Sequence, residues 1–263
     1  ILRWYDMHRR PEDVAFAEAL YKNYRALAMT ETFENYNWFN KPSWTEACGV
    51  IDSFILTVNL WRLTGRADYL EDAHLILFNG LLPGQLHNGG FGTGPCVGHA
   101  TGACRTKMHS EAAFCCSMRG GEGIARAIQY SYFQDKDTVV LPFYSNGTAT
   151  LRFAEGTCKV RQETGYPHKG QARLEVLESQ VKKEKPWRFF VPSWAVKDSF
   201  EIRVNGKKVE TRLADSFAEI EVPLVAGTVV EVAFQQERGP RPAVQAEMAK
   251  GGTRYFDGPL LLG

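Results

Sequence analysis

The sequence carries almost no net charge, since 31 lysine and arginine residues face 30 aspartate and glutamate residues for a formal charge of +1. This balance gives no overall electrostatic argument for nucleic acid or an anionic membrane as a partner. Long apolar runs are also missing, and the longest ones fall far short of a membrane span. We therefore predict neither a membrane partner nor a nucleic-acid partner from the overall composition.

The sequence also lacks an initiating methionine and a signal-like segment, because it starts at Ile1. It ends on the apolar stretch 260–263 without a cap. We therefore expect both ends to lie inside a longer protein, and the sequence indicates no cellular compartment. The chain has 263 residues, of which 44% are hydrophobic and 23% are charged. This is ordinary globular composition, with room for one large domain or two smaller ones.

The first half of the chain has the periodicity of helices. Proline followed by two acids at 11–13 marks one helix start, and the capping-box pattern at 43–46 marks another. Apolar spacing and glycine stops predict helices over 11–28, 43–65, 67–78 and 123–133. A glycine-rich loop over 83–113 separates the last two, and loops of this length are usually functional or disordered.

The second half changes to a period of two. Residues 200–204 and 217–222 alternate apolar and polar side chains, and Asn205-Gly206 is a strong hairpin turn signal. About eight short strands between 138 and 235 predict an antiparallel β-sandwich. The fold class is therefore α+β with several domains, and the predicted boundaries are 1–135, 136–240 and 241–263.

Cysteine is clustered, since four of the six cysteines fall between positions 96 and 116. Cys115 and Cys116 are adjacent, and Glu46 and Cys48 stand two residues apart further upstream. Three thiolates and a carboxylate form a plausible tetrahedral zinc shell, and a thiolate held on zinc can also act as a nucleophile. The alternatives are a capping-box acid beside a buried cysteine, and a pair of buried thiols or a vicinal disulfide.

A second possible ligand set follows the glycines of the long loop. Cys96, His99, Cys104 and His109 have spacing similar to that of a zinc knuckle, with the ligand types permuted. Zinc knuckles can bind single-stranded nucleic acid. Few aromatic residues flank these four, so this nucleic-acid hypothesis is the weaker one.

Glu31 precedes an aromatic-rich segment that includes Trp38 and Trp44. A carboxylic acid among aromatic side chains can have a raised pKa and serve as a general acid. The alternative is an ordinary exposed glutamate in a loop. The aromatic residues are equally consistent with a sugar-binding platform and with a hydrophobic core.

Several motifs together resemble those of the β-L-arabinofuranosidase family of glycoside hydrolases, glycoside hydrolase family 127. The resemblance covers nearly the whole chain, but only about the C-terminal half of a family member. The residues that carry it are Glu46-Ala47-Cys48, 77–84, Cys115-Cys116 with 124–126, 163–167 and 258–260.

The resemblance implies an (α/α)6 toroid followed by β-sandwich domains. It also implies a zinc ion held by Glu46, Cys48, Cys115 and Cys116, with Cys115 as the nucleophile. Glu31 in Thr30-Glu31-Thr32-Phe33 matches the acid/base glutamate of the family, with the spacing to Glu46 shortened by one residue.

The chain departs from the family pattern at two places. Family members typically continue the cysteine pair with Pro-Pro-Asn, whereas this chain has Ser117-Met118-Arg119. His74 stands where a substrate-contacting glutamate is expected. We therefore expect a divergent branch, either with a different sugar or with loss of activity. We also assign His74 and Trp38 to substrate binding.

These observations predict a retaining glycosidase that acts on a furanosidic or related sugar linkage. The alternatives are a non-catalytic carbohydrate-binding or scaffold protein and a zinc-knuckle nucleic-acid module. Because a partial toroid leaves apolar helix faces uncovered, we expect the chain alone to be poorly active or to associate with itself.

Overall fold

The computed structural model describes residues 2–37, 44–94, 110–242 and 253–262. They form two compact units, Ile1–Ala127 together with Gly239–Gly263, and Ile128–Arg238. Helices occupy most of the first unit and strands the second, so the mixed α+β class is confirmed. The division at 135 and 240 into domains stays a prediction.

The described helices lie between residues 2 and 129, almost entirely in the first unit. Each predicted helix is present, although two of them begin at other residues. A π-helical segment follows α4, and a second one precedes α5. The bounds are α1 Leu2–His8, α2 Pro11–Leu27, α3 Ala47–Thr64, α4 Ala67–Leu75, π-helix Ile76–Leu81, 3-10 helix Leu82–Gly84, π-helix Ala113–Ser117 and α5 Met118–Gln129.

The strands are mostly short and follow the predicted alternation. Their bounds are β1 Thr45–Glu46, β2 Gly92–Gly94, β3 Ser110–Glu111, β4 Phe133–Asp135, β5 Thr138–Leu141, β6 Gly147–Phe153, β7 Gly156–Thr164, β8 Gln171–Ser179, β9 Glu184–Phe190, β10 Glu201–Val204, β11 Lys207–Lys208, β12 Arg212–Ala214, β13 Phe217–Pro223, β14 Val229–Ala233, β15 Arg238–Arg241, β16 Arg254–Asp257 and β17 Leu260–Leu261.

Helix α3 contributes several fully buried apolar side chains to the first unit. Its apolar residues Val50, Ile51, Phe54 and Leu60 are each at most 1% exposed. Gly65 ends the helix in the left-handed conformation, with φ of 73° and its N–H bonded to the carbonyl of Trp61. A residue with a Cβ would be strained there, so the predicted glycine stop is confirmed.

The predicted start of this helix at Ser43 is wrong, because the helix begins at Ala47. Thr45 and Glu46 are extended instead and pair with Gly94 and Thr93 of β2. Strand pairing has therefore overridden the capping-box pattern, and the Glu46 side chain makes no capping hydrogen bond. Ser43 itself lies outside the described residues.

Helix α5 begins at Met118, five residues before the predicted start at Gly123. Gly120 and Gly123 lie inside the helix at positions with little space. A Cβ on Gly120 would collide with the ring of Phe91, and one on Gly123 would lie 2.8 Å from Ile51 Cγ1. Close packing therefore explains these two glycines.

The second unit contains two sheets. One has six strands in the order β11-β10-β14-β8-β7-β6, and the other has five in the order β12-β13-β9-β5-β4. Alternate residues are buried, as in Gln171–Ser179, so each sheet has a buried face as expected of a β-sandwich. The sandwich is not wholly antiparallel, because β5 and β9 pair in parallel. A period of two does not distinguish the two directions.

Two small sheets belong to the first unit. Strands β1, β2 and β3 form one of them, with β2 at its centre. Strands β15, β16 and β17 form the other. Among the described helices, none has the length and apolar character needed to cross a membrane.

Candidate functional site

The sulfur atoms of three cysteines meet at one end of α3. Cys48 Sγ lies 3.1 Å from Cys115 Sγ and 3.7 Å from Cys116 Sγ. The three sulfurs lie within 4.8 Å of one another. Cys115 is exposed, Cys48 is partly buried and Cys116 is buried, and all three are free thiols. The structure thus brings residues 67 or more positions apart into one cluster with an accessible sulfur.

Local backbone geometry explains how the adjacent cysteines reach the same place. Cys48 is the second residue of α3, near the positive end of the helix dipole. Cys115 and Cys116 lie in the π-helical segment, where the Ala112 carbonyl accepts hydrogen bonds from the N–H groups of Cys115 and Ser117, both at 3.1 Å. This tight turn presents both sulfurs to Cys48.

The donor set fits a soft divalent metal ion. Sulfurs bound to one tetrahedral zinc ion at about 2.3 Å lie about 3.8 Å apart. The 3.7 Å separation between Cys48 and Cys116 matches this value, and the 3.1 Å separation to Cys115 is shorter. Three thiol sulfurs are a ligand type that zinc prefers, so this cluster could hold a metal.

Burial raises the pKa values of two of these cysteines, Cys48 and Cys116. Burial, together with hydrogen bonds to Cys115 and Cys116, raises the pKa of Cys48 well above its ordinary value. Burial also raises the pKa of Cys116, and the hydrogen bond from Cys48 opposes that rise. A packed group of thiols therefore disfavours thiolates by itself, and a bound cation would reverse this preference.

Glu46 lies beside the cluster without being part of it. Its carboxylate falls outside the group of atoms within 4.8 Å of one another. Its negative charge still contributes to the raised pKa of Cys116. Because Glu46 precedes the helix in an extended conformation, with φ of −141° and ψ of 146°, the helical spacing rule does not separate it from Cys48. Its role as a metal ligand stays a prediction.

Glu31 lies in the turn after α2 and is paired with a residue from the other end of the chain. Its Oε2 lies 2.9 Å from Arg254 Nε, and the two side chains are 13% and 11% exposed. The Arg254 guanidinium also lies 5.2 Å from the centre of the Phe33 ring and 5.4 Å from that of Phe256. Glu31 is therefore held in place by an ion pair, which its sequence context did not indicate.

His74 is the one remaining predicted site residue that lies within the described part of the chain. His74 is 0% exposed in α4, with its ring centroid 6.0 Å from that of Phe78. Trp38, Cys96, His99, Cys104 and His109 lie outside the described residues. The substrate-binding role of His74 and Trp38 and the second metal site stay predictions.

Sequence reasoning missed a group of residues that surrounds the turn with the adjacent cysteines. Asn88, Phe91, Glu111 and Ser117 form a connected set of hydrogen bonds there. Ser117 was noted only as a departure from a family pattern. Its position directly after two cysteines was the one available signal.

Comparisons with known proteins agree with the motif resemblance. A family model described as the middle domain of GH127 β-L-arabinofuranosidase matches residues 138–236. The resemblance to this family is therefore confirmed for that part of the chain. A comparison with curated proteins found no match.

Solved structures share the fold over 92% of this chain. One is described as a glycoside hydrolase, with 21% identity, a TM-score of 0.75 and 46% of its own length covered. A GH127 β-arabinofuranosidase has 23% identity, a TM-score of 0.74 and 42% of its length covered. A GH127 β-L-arabinofuranosidase from Geobacillus stearothermophilus T6 has 21% identity, a TM-score of 0.73 and 41% of its length covered. The chain thus spans less than half the length of each.

Proposed function

We propose that this chain is the C-terminal half of a retaining glycosidase that cleaves a β-L-arabinofuranosidic or related linkage. The observation that carries the proposal is the exposed thiol of Cys115 within hydrogen-bond distance of Cys48 and beside buried Cys116. The match of residues 138–236 to the GH127 middle domain supports the substrate class.

The chemistry assigned to Cys115 is nucleophilic attack. Its sulfur forms a bond with the anomeric carbon while the bond from that carbon to the leaving oxygen breaks. Water then attacks the same carbon, the carbon–sulfur bond breaks and the thiolate is restored. Two displacements at one carbon retain its configuration. Accessibility supports Cys115 in this role, since Cys116 is only 1% exposed.

Zinc is the proposed cofactor, with Glu46, Cys48, Cys115 and Cys116 as its ligands. When bound, a zinc ion would keep the thiolate form available at neutral pH. The soft donor set and the sulfur separations support this assignment. Glu46 is the proposed fourth ligand because it directly precedes α3 and its charge acts on Cys116.

Glu31 is the proposed acid and base. In the first displacement it gives a proton to the leaving oxygen, and in the second it takes a proton from the attacking water. Its near-complete burial supports a fixed position. The ion pair with Arg254 means that the carboxyl group has to exchange partners during turnover.

We also propose that α1 to α5 form part of a larger helical toroid. Similarity to structures more than twice as long supports this arrangement. Exposed apolar side chains on the described helices support it as well, since Phe16, Met118 and Ile128 are 56%, 65% and 70% exposed.

Substitution of Cys115 tests the proposal. Cys115→Ser, made in the longer protein of which we propose this chain to be the C-terminal half, should abolish hydrolysis of an aryl β-L-arabinofuranoside. The same protein without the substitution, quenched during turnover, should gain the mass of one sugar on the peptide that contains Cys115. Cys158→Ala is the control, since this cysteine is fully buried in β7 of the second unit. A Cys115→Ser variant with the wild-type rate would exclude the role.

A further inference from the structure

The turn with the adjacent cysteines is fastened to the loop before β2 by one side chain. Ser117 Oγ accepts a hydrogen bond from the N–H of Phe91 at 2.9 Å. It also lies 2.8 Å from Glu111 Oε1 and 3.2 Å from the Phe91 carbonyl oxygen. The hydroxyl has one proton, and we assign it to the carboxylate because that contact is shorter and charge-assisted.

The Phe91 carbonyl oxygen accepts a hydrogen bond from another group, so it does not need the Ser117 proton. It accepts from the Ala112 N–H at 3.1 Å. Residues on both sides of the cysteine pair therefore bind the two backbone groups of Phe91. The π-helical segment is closed at its start by Ala112 and at its end by Ser117, so Cys115 and Cys116 lie between two fixed points.

Glu111 is itself held on its second oxygen. Asn88 Nδ2 donates to Glu111 Oε2 at 2.7 Å, and Asn88 Oδ1 accepts from the Gly90 N–H at 3.0 Å. Hydrogen bonds from Ser117 and Asn88, in that order of size, lower the pKa of Glu111 below its ordinary value. The carboxylate is therefore ionised at neutral pH and accepts from both donors at once.

Close packing leaves the network little freedom. A Cβ on Gly90 would collide with the Glu111 carboxylate and lie 3.0 Å from Ser117 Oγ. Phe91 is 1% exposed, and its ring lies directly against Gly120 in the first turn of α5. Ser117 is thus bound to a loop whose residues Gly90 and Phe91 are closely packed.

The sheet of β1, β2 and β3 connects the Ser117–Phe91 hydrogen bond to Cys48, which contributes the third sulfur. Strand β1 leads into Cys48, and β3 leads into the cysteine pair, while both pair with β2. Phe91 directly precedes β2. A bond from Ser117 to Phe91 therefore fixes the distance between the two halves of the sulfur cluster through the shared central strand.

We propose that Ser117 is a positioning residue that holds Cys115 and Cys116 at the separation from Cys48 needed to bind one metal ion. The proposal rests on the proposed function, because it concerns the same thiol site. Outer-shell hydrogen bonds of this kind typically change metal affinity by about 10- to 100-fold when they are removed.

Cobalt(II) is the probe, because thiolate–cobalt charge-transfer bands report sulfur ligation without any activity measurement. Metal-free wild-type protein, Ser117→Ala and Ser117→Thr are titrated with cobalt(II) under reducing conditions. We expect Ser117→Ala to bind cobalt about 10- to 100-fold more weakly. Ser117→Thr should restore most of the affinity because it keeps the hydroxyl.

Ser131→Ala is the matched control. Its hydroxyl is also hydrogen-bonded, at 2.6 Å to Ser145 Oγ, but in the second unit. It should bind cobalt as the wild type does. Circular dichroism of the metal-free proteins establishes that Ser117→Ala is folded, and if it is not, Ser117→Thr against Ser117→Val provides the same comparison.

The outcomes separate the two proposals. Wild-type protein without a thiolate–cobalt band would overturn the metal site and with it the proposed function. A wild-type band with equal affinity in Ser117→Ala would overturn only the positioning role. Weak binding in both Ser117→Ala and Ser117→Thr would also overturn it, since the hydroxyl would then not be the group that matters.

Discussion

Arg254 Nε and Glu31 Oε2 lie 2.9 Å apart, joining residues 223 positions apart along the chain. The Arg254 guanidinium lies near the rings of Phe33 and Phe256, and burial lowers the pKa of this arginine while the charge of Glu31 opposes the shift. The charge of Glu31 thus compensates part of the cost of burying the guanidinium. This ion pair fixes the candidate acid against strand β16.

We expect Arg254→Met to destabilise the protein by about 3 kcal/mol, because it leaves a nearly buried carboxylate without its partner charge. The free energy of unfolding in urea measures the change. Arg212→Met is the matched control, since Arg212 pairs with Glu219 but is 78% exposed. It should change stability by less than about 0.5 kcal/mol. Equal effects of the two substitutions would show that burial of the Arg254–Glu31 pair does not increase its effect on the free energy of unfolding.

Glu31→Ala should lower the rate by about 10²- to 10⁴-fold on a substrate with a poor leaving group. The loss should be much smaller for an aryl glycoside whose phenolate leaves without a proton. The carboxyl group of Glu31 is then not needed as an acid in the first displacement. Added azide should restore part of the rate and give a glycosyl azide. The measurement is kcat/KM with each substrate, because kcat/KM reports the first displacement, whereas kcat is also limited by the second displacement, in which Glu31 acts as well.

A merely structural role for Glu31 predicts a different result. Both substrates would then lose activity equally, and azide would have no effect. Glu12→Ala provides the control, because Glu12 is an exposed acid in the first turn of α2. It should leave kcat/KM unchanged with either substrate.

Residues close together along the chain were predictable, and pairings between distant ones were not. The glycine stop at Gly65 and the proline start at Pro11 follow from local backbone chemistry, and both are present. The extended conformation of Glu46 follows from pairing with Thr93, 47 positions away, which no local pattern contains. The same holds for Arg254, whose partner Glu31 is brought near only by tertiary packing.

The sulfur cluster shows the same limit at the candidate site. Two adjacent cysteines and an upstream cysteine suggested a shared metal, and the structure brings their sulfurs together. The means of bringing them together, a π-helical turn fastened by Ser117, was not predictable. Serine has no strong preference for such a turn, so its identity indicates a role only once Phe91 is seen beside it.

The predicted self-association can be tested on an exposed apolar face of helix α2. Phe16, Leu20 and Leu27 recur on one side of the helix and are 56%, 43% and 41% exposed. We expect the Phe16→Gln/Leu20→Gln double variant to associate about tenfold more weakly, because it removes apolar area from the contact. Sedimentation equilibrium measures the association constant.

The control for this prediction is Leu213→Gln. Leu213 is 66% exposed and lies on a strand of the second unit, β12, and not on a helix. It should not change the association constant. An unchanged constant in the helix variant, or a wild-type protein that is monomeric at high concentration, would contradict the expected self-association.

Asn79 fastens the β16–β17 hairpin to the π-helical segment after α4. Its Nδ2 donates to the Pro259 carbonyl at 2.9 Å, and its Oδ1 accepts from the Leu261 N–H at 2.8 Å. Asn79 is 9% exposed, so Asn79→Ala leaves two backbone groups poorly solvated. We expect a loss of about 2 to 4 kcal/mol in the free energy of unfolding, since each unsatisfied group costs about 1 to 3 kcal/mol.

Asn59→Ala is the matched control for Asn79→Ala. Asn59 is also a helical asparagine, and its Nδ2 donates to the Ile55 carbonyl of its own helix at 2.8 Å. It should cost less than about 1 kcal/mol, because that carbonyl also takes part in the helix. Because β16 is one strand of the hairpin that Asn79 holds, Asn79→Ala should also speed amide exchange along β16. Protection of β16 equal to that in the wild type would show that other contacts hold the hairpin in place.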